Sequence, residues 1–155
     1  MKALTYSVSV NSSCDIFEFV SQGRTQLKKK VIFTPLDEDS NIHILDLVSI
    51  DSNGCEDKET ESRNGDIDLI INTVANIVEY FLIKFPDRQV FLLGSDMRRI
   101  RKYRMFIGSN YHLVESNFSI LASMDVSDNI QFESYQKNKP YFSFLIRARS
   151  QAIEI

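Results

Sequence analysis

Arg98, Arg99, Arg101, Lys102 and Arg104 put five cations into seven residues of a 155-residue chain whose formal net charge is -3. On a helix such neighbours repel one another by roughly a few tenths of a kcal/mol per pair, so something must offset them. An anionic partner is one answer. Lys and Arg contacts to phosphates release condensed counterions. Arginine supplies four of the five charges, and its planar fork suits phosphate or carboxylate. The other answer is internal: an exposed basic helix can pair with the chain's own 21 Asp and Glu. The segment follows Gly94-Ser95-Asp96, which reads as a turn from strand into helix. Backbone N–H groups at a helix start can hold an anion. Asp96 would repel one there, and Ser95 or Asp96 serves equally as the N-cap. With 5 glycines in the chain, this turn is neither a P-loop nor a dinucleotide fingerprint, and no cofactor is implied. The candidate anion-binding residues are therefore Ser95, Arg98, Arg99, Arg101, Lys102, Tyr103 and Arg104.

Two other constellations could do chemistry. Tyr135, Tyr141, Phe142 and Phe144 lie near Lys137, Lys139, Arg147 and Arg149. Aromatic rings beside cations stack bases, while in an alternating strand the same residues read as core and rim. The carboxylates Glu18, then Asp68 or Glu79, then Asp96 fall on what read as the first strand, first helix and end of the fourth strand. Ribonuclease H-like nucleases open in that order and hold two divalent metals on such acids. That match is one of topology, which does not carry function. His43 and His112 stand without spaced ligand partners, and Cys14 and Cys55 have no metal-ligand spacing, so both cysteines read as free thiols.

The elements that must position these residues follow from periodicity. "DIFEFVSQG", "QLKKKVIFTPL" and "NIHILDLVSID" read as three strands, the last with Ile42 and Ile44 alternating and Leu45 and Leu47 less regular. Residues 52–64 are polar and read as a solvated loop. The period then changes. Ile67, Ile70, Ile71, Val74, Val78, Phe81, Leu82 and Phe85 recur at helical spacing, with Leu69 and Ile77 widening the stripe. Asn64 or Asp66 is the N-cap and Pro86 the stop, giving a helix over 66–85. "QVFLLGS" reads as a buried strand. Residues 96–110 form an amphipathic helix with Ile100, Tyr103 and Ile107 inward and Arg98, Arg101 and Lys102 opposite. "FSILASMDV", "NIQFESYQ" and "YFSFLIRAR" complete a β-meander. The predicted fold is a single α+β domain over 1–155: a mostly antiparallel sheet in the order β-β-β-α-β-α-β-β-β, packed on a central helix with a second, basic helix. No apolar run reaches the roughly 18 residues of a membrane span, and polar residues interrupt "ALTYSVSVNSSCD" near the start. The expected location is the cytoplasm.

The box Gly94, Ser95, Asp96, Met97, Arg98, Arg99, Ile100, Arg101, Lys102, Tyr103 resembles one in a family of small bacterial proteins of about this length, a domain of unknown function. The family box runs roughly G-S-T-x-A-R-T-R-L-Y. Gly94, Ser95, Arg99, Arg101 and Tyr103 match it; Asp96, Arg98, Ile100 and Lys102 depart. "FEFVSQG", "KKKVIF", Asn64 to Asp66 and "YFSFLIRAR" also resemble family blocks, so the likeness spans most of the chain. The resemblance implies no activity, cofactor or substrate. It marks Arg98 and Lys102 as extra charge and weakens Asp96 as a metal ligand. Three functions stay open. The favoured one is a non-catalytic module that binds nucleic acid or another polyanion through the basic helix. The others are a protein-interaction module meeting an acidic partner or a second subunit, and a metal-dependent nuclease.

Overall fold

Wherever the apolar period of the sequence changes, the backbone changes element. The computed structural model describes residues 5–51, 53–57, 65–93, 97–114, 117–125 and 130–149, with side chains at all of these except 56, 57, 98, 99, 109, 110 and 112–114. The strands are β1 (Ser9–Val10), β2 (Ile16–Gln22), β3 (Gln26–Pro35), β4 (Ile42–Ile50), β5 (Glu56–Asp57), β6 (Gln89–Leu93), β7 (Phe118–Ser123), β8 (Glu133–Ser134) and β9 (Ser143–Ala148). The helices are α1 (Ile67–Lys84) and α2 (Met97–Val114). The sheet path runs β1-β2-β3-β4-β6-β9-β7-β8, with β5 on β4. β4 and β6 pair in parallel, while β1–β2, β2–β3, β4–β5, β6–β9, β7–β8 and β7–β9 are antiparallel. The protein is thus of the expected α+β class, with a mostly antiparallel mixed sheet.

The order at the C-terminal end differs from a meander, because β9 lies between β6 and β7. Ser143, Phe144, Leu145 and Ile146 are all buried, and a strand buried on both faces belongs inside a sheet. β8, two residues long and half-exposed, takes the edge, where a short polar strand is least costly. The parallel β4–β6 pair follows from the intervening α1, since parallel neighbours require a crossover.

Two compact units are present, Met1–Thr34 with Leu45–Phe81, and Pro35–Ile44 with Leu82–Ile155. In the first, β2 buries Phe17, Phe19 and Ser21, and β3 buries Lys29, Val31 and Phe33, the period of two expected of strands with one covered face. Phe33 stacks on Phe81 of α1 with centroids 3.9 Å apart. Ile70, Ile71, Val74, Ile77 and Val78 complete the buried side of α1 in this unit. Ile67 departs from the predicted stripe and is exposed, as it opens the helix where only one turn of neighbours can cover it. On β4 the buried residues are His43, Leu45 and Val48, not Ile42 and Ile44, which are half-buried. The imidazole Nδ1 of His43 lies 3.3 Å from the Asn41 carbonyl oxygen, so a polar ring sits where the aliphatics were expected.

Asp66 precedes α1, and its carbonyl accepts the Ile70 N–H at 3.0 Å, as an N-cap should. Its carboxylate does something else. Oδ2 accepts the hydroxyls of Tyr6 and Ser21, the latter at 2.5 Å. The Tyr6 oxygen in turn accepts the Gln22 N–H at 3.0 Å. The Tyr6 N–H donates to Thr73 Oγ1 at 2.9 Å, and Thr73 donates to the Leu69 carbonyl at 2.7 Å. The alternative cap, Asn64, lies outside the described residues.

Candidate anion-binding site

Ser95, together with Gly94 and Asp96, lies outside the described residues. Arg98 and Arg99 fall in the first turn of α2, where the backbone but not the side chain is described. Arg101 is exposed, and Lys102, Tyr103 and Arg104 are half-buried. α2 continues past its expected end at 110 to Val114. Ile100 and Ile107 are buried as predicted, joined by Phe106, while Tyr103 is at the margin. At about 100° per residue, Arg101, Arg104, Gly108 and Tyr111 share one flank of the helix, and Lys102 lies about 100° further round.

Among the described residues, Arg101, Lys102 and Arg104 make no ion pair; the recorded bridges join Glu18 to Lys28 and Lys30, and Glu133 to Lys139. Arg104 is instead anchored by its Nε–H, which donates to the Tyr141 carbonyl at 2.7 Å. Its guanidinium lies 5.6 Å from the Phe142 ring centroid, within cation–π range. The remaining N–H donors of this guanidinium make no hydrogen bond among the described residues.

That anchor holds Arg104 at a cavity of about 430 Å³ between α2 and the 135–141 loop. Arg104 and Gly108 form the helical wall, and Tyr135, Lys137, Lys139, Tyr141 and Phe144 form much of the rest. The loop is rigidly built. The Tyr141 hydroxyl accepts the Gln136 N–H at 3.0 Å and donates to Glu133 Oε2 at 3.1 Å. Lys139 Nζ donates to the same oxygen at 2.9 Å. Asn138 turns the chain at φ 70°, a left-handed conformation that asparagine adopts more readily than most residues. The Tyr135 N–H donates to the Ile120 carbonyl at 3.0 Å. Its ring packs against Tyr111 with centroids 5.0 Å apart and Tyr141 at 5.7 Å.

The protonation states follow from these contacts. Burial pushes the phenols of Tyr135 and Tyr141 above the ordinary tyrosine value, so both stay neutral. The hydrogen bond from Lys139 holds the Glu133 carboxyl below its usual 4.5, and Glu133 holds the Lys139 ammonium above 10.5. A depressed carboxyl contributes stability that is full above its unfolded value and lost as pH falls through the folded one. A raised ammonium contributes below its unfolded value and is lost as pH rises through the folded one. The bridge is therefore intact across the neutral range. A carboxyl-carbon NMR titration should find Glu133 ionised down to below 4.5, and Lys139→Ala should return it towards that value. Lys139 is neutralised by Glu133, and among the described residues Arg104 and Lys137 are the cations of the cavity without a carboxylate partner.

Several predicted residues do not join this site. Phe142 carries the Arg104 cation, while Arg147 and Arg149 do not line the cavity. Of the proposed metal ligands, Glu79 is half-buried on α1. Glu18 is shared by Lys28 at 3.4 Å and Lys30 at 3.6 Å, Asp68 is exposed in the first turn of α1, and Asp96 lies outside the described residues. Among the described residues, no group of three or more His, Cys, Asp or Glu could hold a metal ion. His112 has no described side chain, and Cys14 and Cys55 are free. A larger cavity of about 680 Å³ borders β1 and β2, but its charges, Glu18 and Lys28, are paired to each other. Among the described residues, no helix is long and apolar enough to cross a membrane.

Gly108 and Glu133 were not singled out by sequence reasoning. A signal for Gly108 existed: a glycine inside an otherwise helical pattern costs about 1 kcal/mol relative to alanine. A Cβ built there meets nothing within 4 Å, so no close backbone approach requires the glycine.

No curated protein and no solved structure matches the chain. A family model described as a family of unknown function, DUF6934, matches residues 2–149. With nearly the whole length matched, the chain belongs to that family, DUF6934.

Proposed function

We propose that the protein is a non-catalytic nucleic-acid-binding module that follows a phosphate backbone along the Arg101–Arg104 flank of α2 and on to Lys137. The observation that carries this reading is the contrast in ion pairing. Glu18 and Glu133 are matched by lysines, yet Arg101, Lys102, Arg104 and Lys137 have no carboxylate partner among the described residues. Unpaired cations around an aromatic-lined concavity are what single strands and phosphate backbones are held by. Two free thiols favour a reducing compartment such as the cytoplasm for this module.

The test is fluorescence anisotropy with labelled single- and double-stranded DNA and RNA at about 50 and about 200 mM salt. The wild type should bind and weaken steeply with salt. Arg101→Ala/Lys102→Ala/Lys137→Ala removes three side chains that have no polar partner among the described residues, so the fold should persist by circular dichroism. If all three meet phosphate, the log–log salt slope on a single strand should become shallower by about 2, at about 0.7 per contact. Absence of binding to every nucleic acid at the lower salt overturns the reading, and a stoichiometric complex with an acidic protein would then account for the same cations.

A further inference from the structure

Building on that reading, we propose that the cavity between α2 and the 135–141 loop seats one unpaired base, so that the module takes single-stranded nucleic acid in preference to duplex. Three observations converge on this. The first is shape. Duplex readers push a helix or ribbon outward into a groove, whereas here Arg104 and Gly108 of α2 form one wall of a concavity. At about 430 Å³ it is at the small end of ligand sites, a scale suited to a single nucleotide.

The second is Gly108. It occupies the middle of α2, lines the cavity, and would carry a Cβ into open space. Neither backbone conformation nor packing calls for glycine, and the helix would be more stable with almost any other ordinary residue. What its missing side chain does is keep the cavity open. The third is composition. Tyr135, half-buried against Tyr111 and Tyr141, presents an aromatic wall to the cavity, and Phe144 extends it inward. Stacking on such rings tolerates any base, because every base has a π-face. Arg104 and Lys137 both line the same cavity, placed to meet the phosphates flanking a base held there.

The experiment compares a fluorescein-labelled oligothymidylate of about twelve nucleotides, the same strand with one central abasic site, and its duplex with oligoadenylate. Each is titrated with wild type, Gly108→Leu and Tyr135→Ala. Leucine is the better helix former and a Cβ at 108 meets nothing within 4 Å, so this variant should melt no lower than wild type. The expected result is single-strand affinity about tenfold or more above duplex, and a loss of about tenfold in both variants. The salt slope should not change, because the cations are untouched. If Gly108→Leu fails to fold, Tyr135→Ala decides the same question. Duplex bound as tightly as single strand, or both folded variants binding like wild type, overturns the base-in-cavity proposal and leaves the phosphate-binding reading standing. No binding by wild type to any of the three overturns both.

Discussion

Phe81→Ala should lower the free energy of unfolding by about 3–5 kcal/mol, the range for deleting a fully buried aromatic ring. Phe81 is fully buried, and its ring lies nearly parallel to Phe33, with centroids 3.9 Å apart and planes at 8°. Phe33 in turn meets the edge of Phe17 at 5.8 Å. Truncation therefore loses transfer free energy and also leaves a void between a helix and two strands that cannot all close in. In a chain of this length each kcal/mol is about 2–4 °C, so the melting temperature should fall by about 10 °C. Ile83→Ala supplies the control two residues along the same helix. Its side chain is 67% exposed, and its effect should stay within about 0.5 kcal/mol. Equal effects from the two variants would mean that the packing of α1 has been misassigned.

Asp66→Ala should cost about 2–5 kcal/mol. The carboxylate is buried and accepts two hydroxyls, those of Tyr6 and Ser21. Each donor left without an acceptor costs about 1–3 kcal/mol. Asp66→Asn keeps an oxygen where both hydroxyls arrive, and its amide would take the place of Oδ1, which has no hydrogen-bond partner among the described residues. It should therefore cost less than half as much. Burial, and then the bond to Asp66, raise the Tyr6 phenol above its usual 10.0. A raised phenol adds stability that is full below its unfolded value and is lost as pH climbs through the folded one. Chemical denaturation above 10.0 should show this alkaline loss in wild type and a smaller one in Tyr6→Phe. An Asp66→Ala variant as stable as wild type would show that the network does not hold the Tyr6 segment to α1.

The sequence by itself determined what can be read within a few residues. Helical spacing from Ile70 to Leu82 placed α1 within a residue at each end, with Pro86 as its stop. The same period located the start of α2 and the inward Ile100 and Ile107. Alternation in "FEFVSQ" and "KKKVIF" placed β2 and β3. The cluster from Arg98 to Arg104 was visible as a charge in need of a partner. These signals are local because a helix or strand repeats over two to four residues, and the repeat is written in side-chain polarity.

Only the tertiary structure decided the rest. Whether Arg101 and Arg104 face internal acids depends on where distant carboxylates arrive, and among the described residues the paired ones, Glu18 and Glu133, meet lysines. That Arg104 meets Tyr141 is a contact across 37 residues, carried by a backbone carbonyl that no side-chain pattern reveals. β9 entered the sheet between β6 and β7 because its residues are buried on both faces, a competition among strands for the interior that no single segment records. The cavity exists because that pairing brings the 135–141 loop to Gly108 on α2. Local periodicity encodes which face of an element is apolar. Which element covers that face is set by the burial of the whole chain, so the site, unlike its basic residues, belongs to the fold.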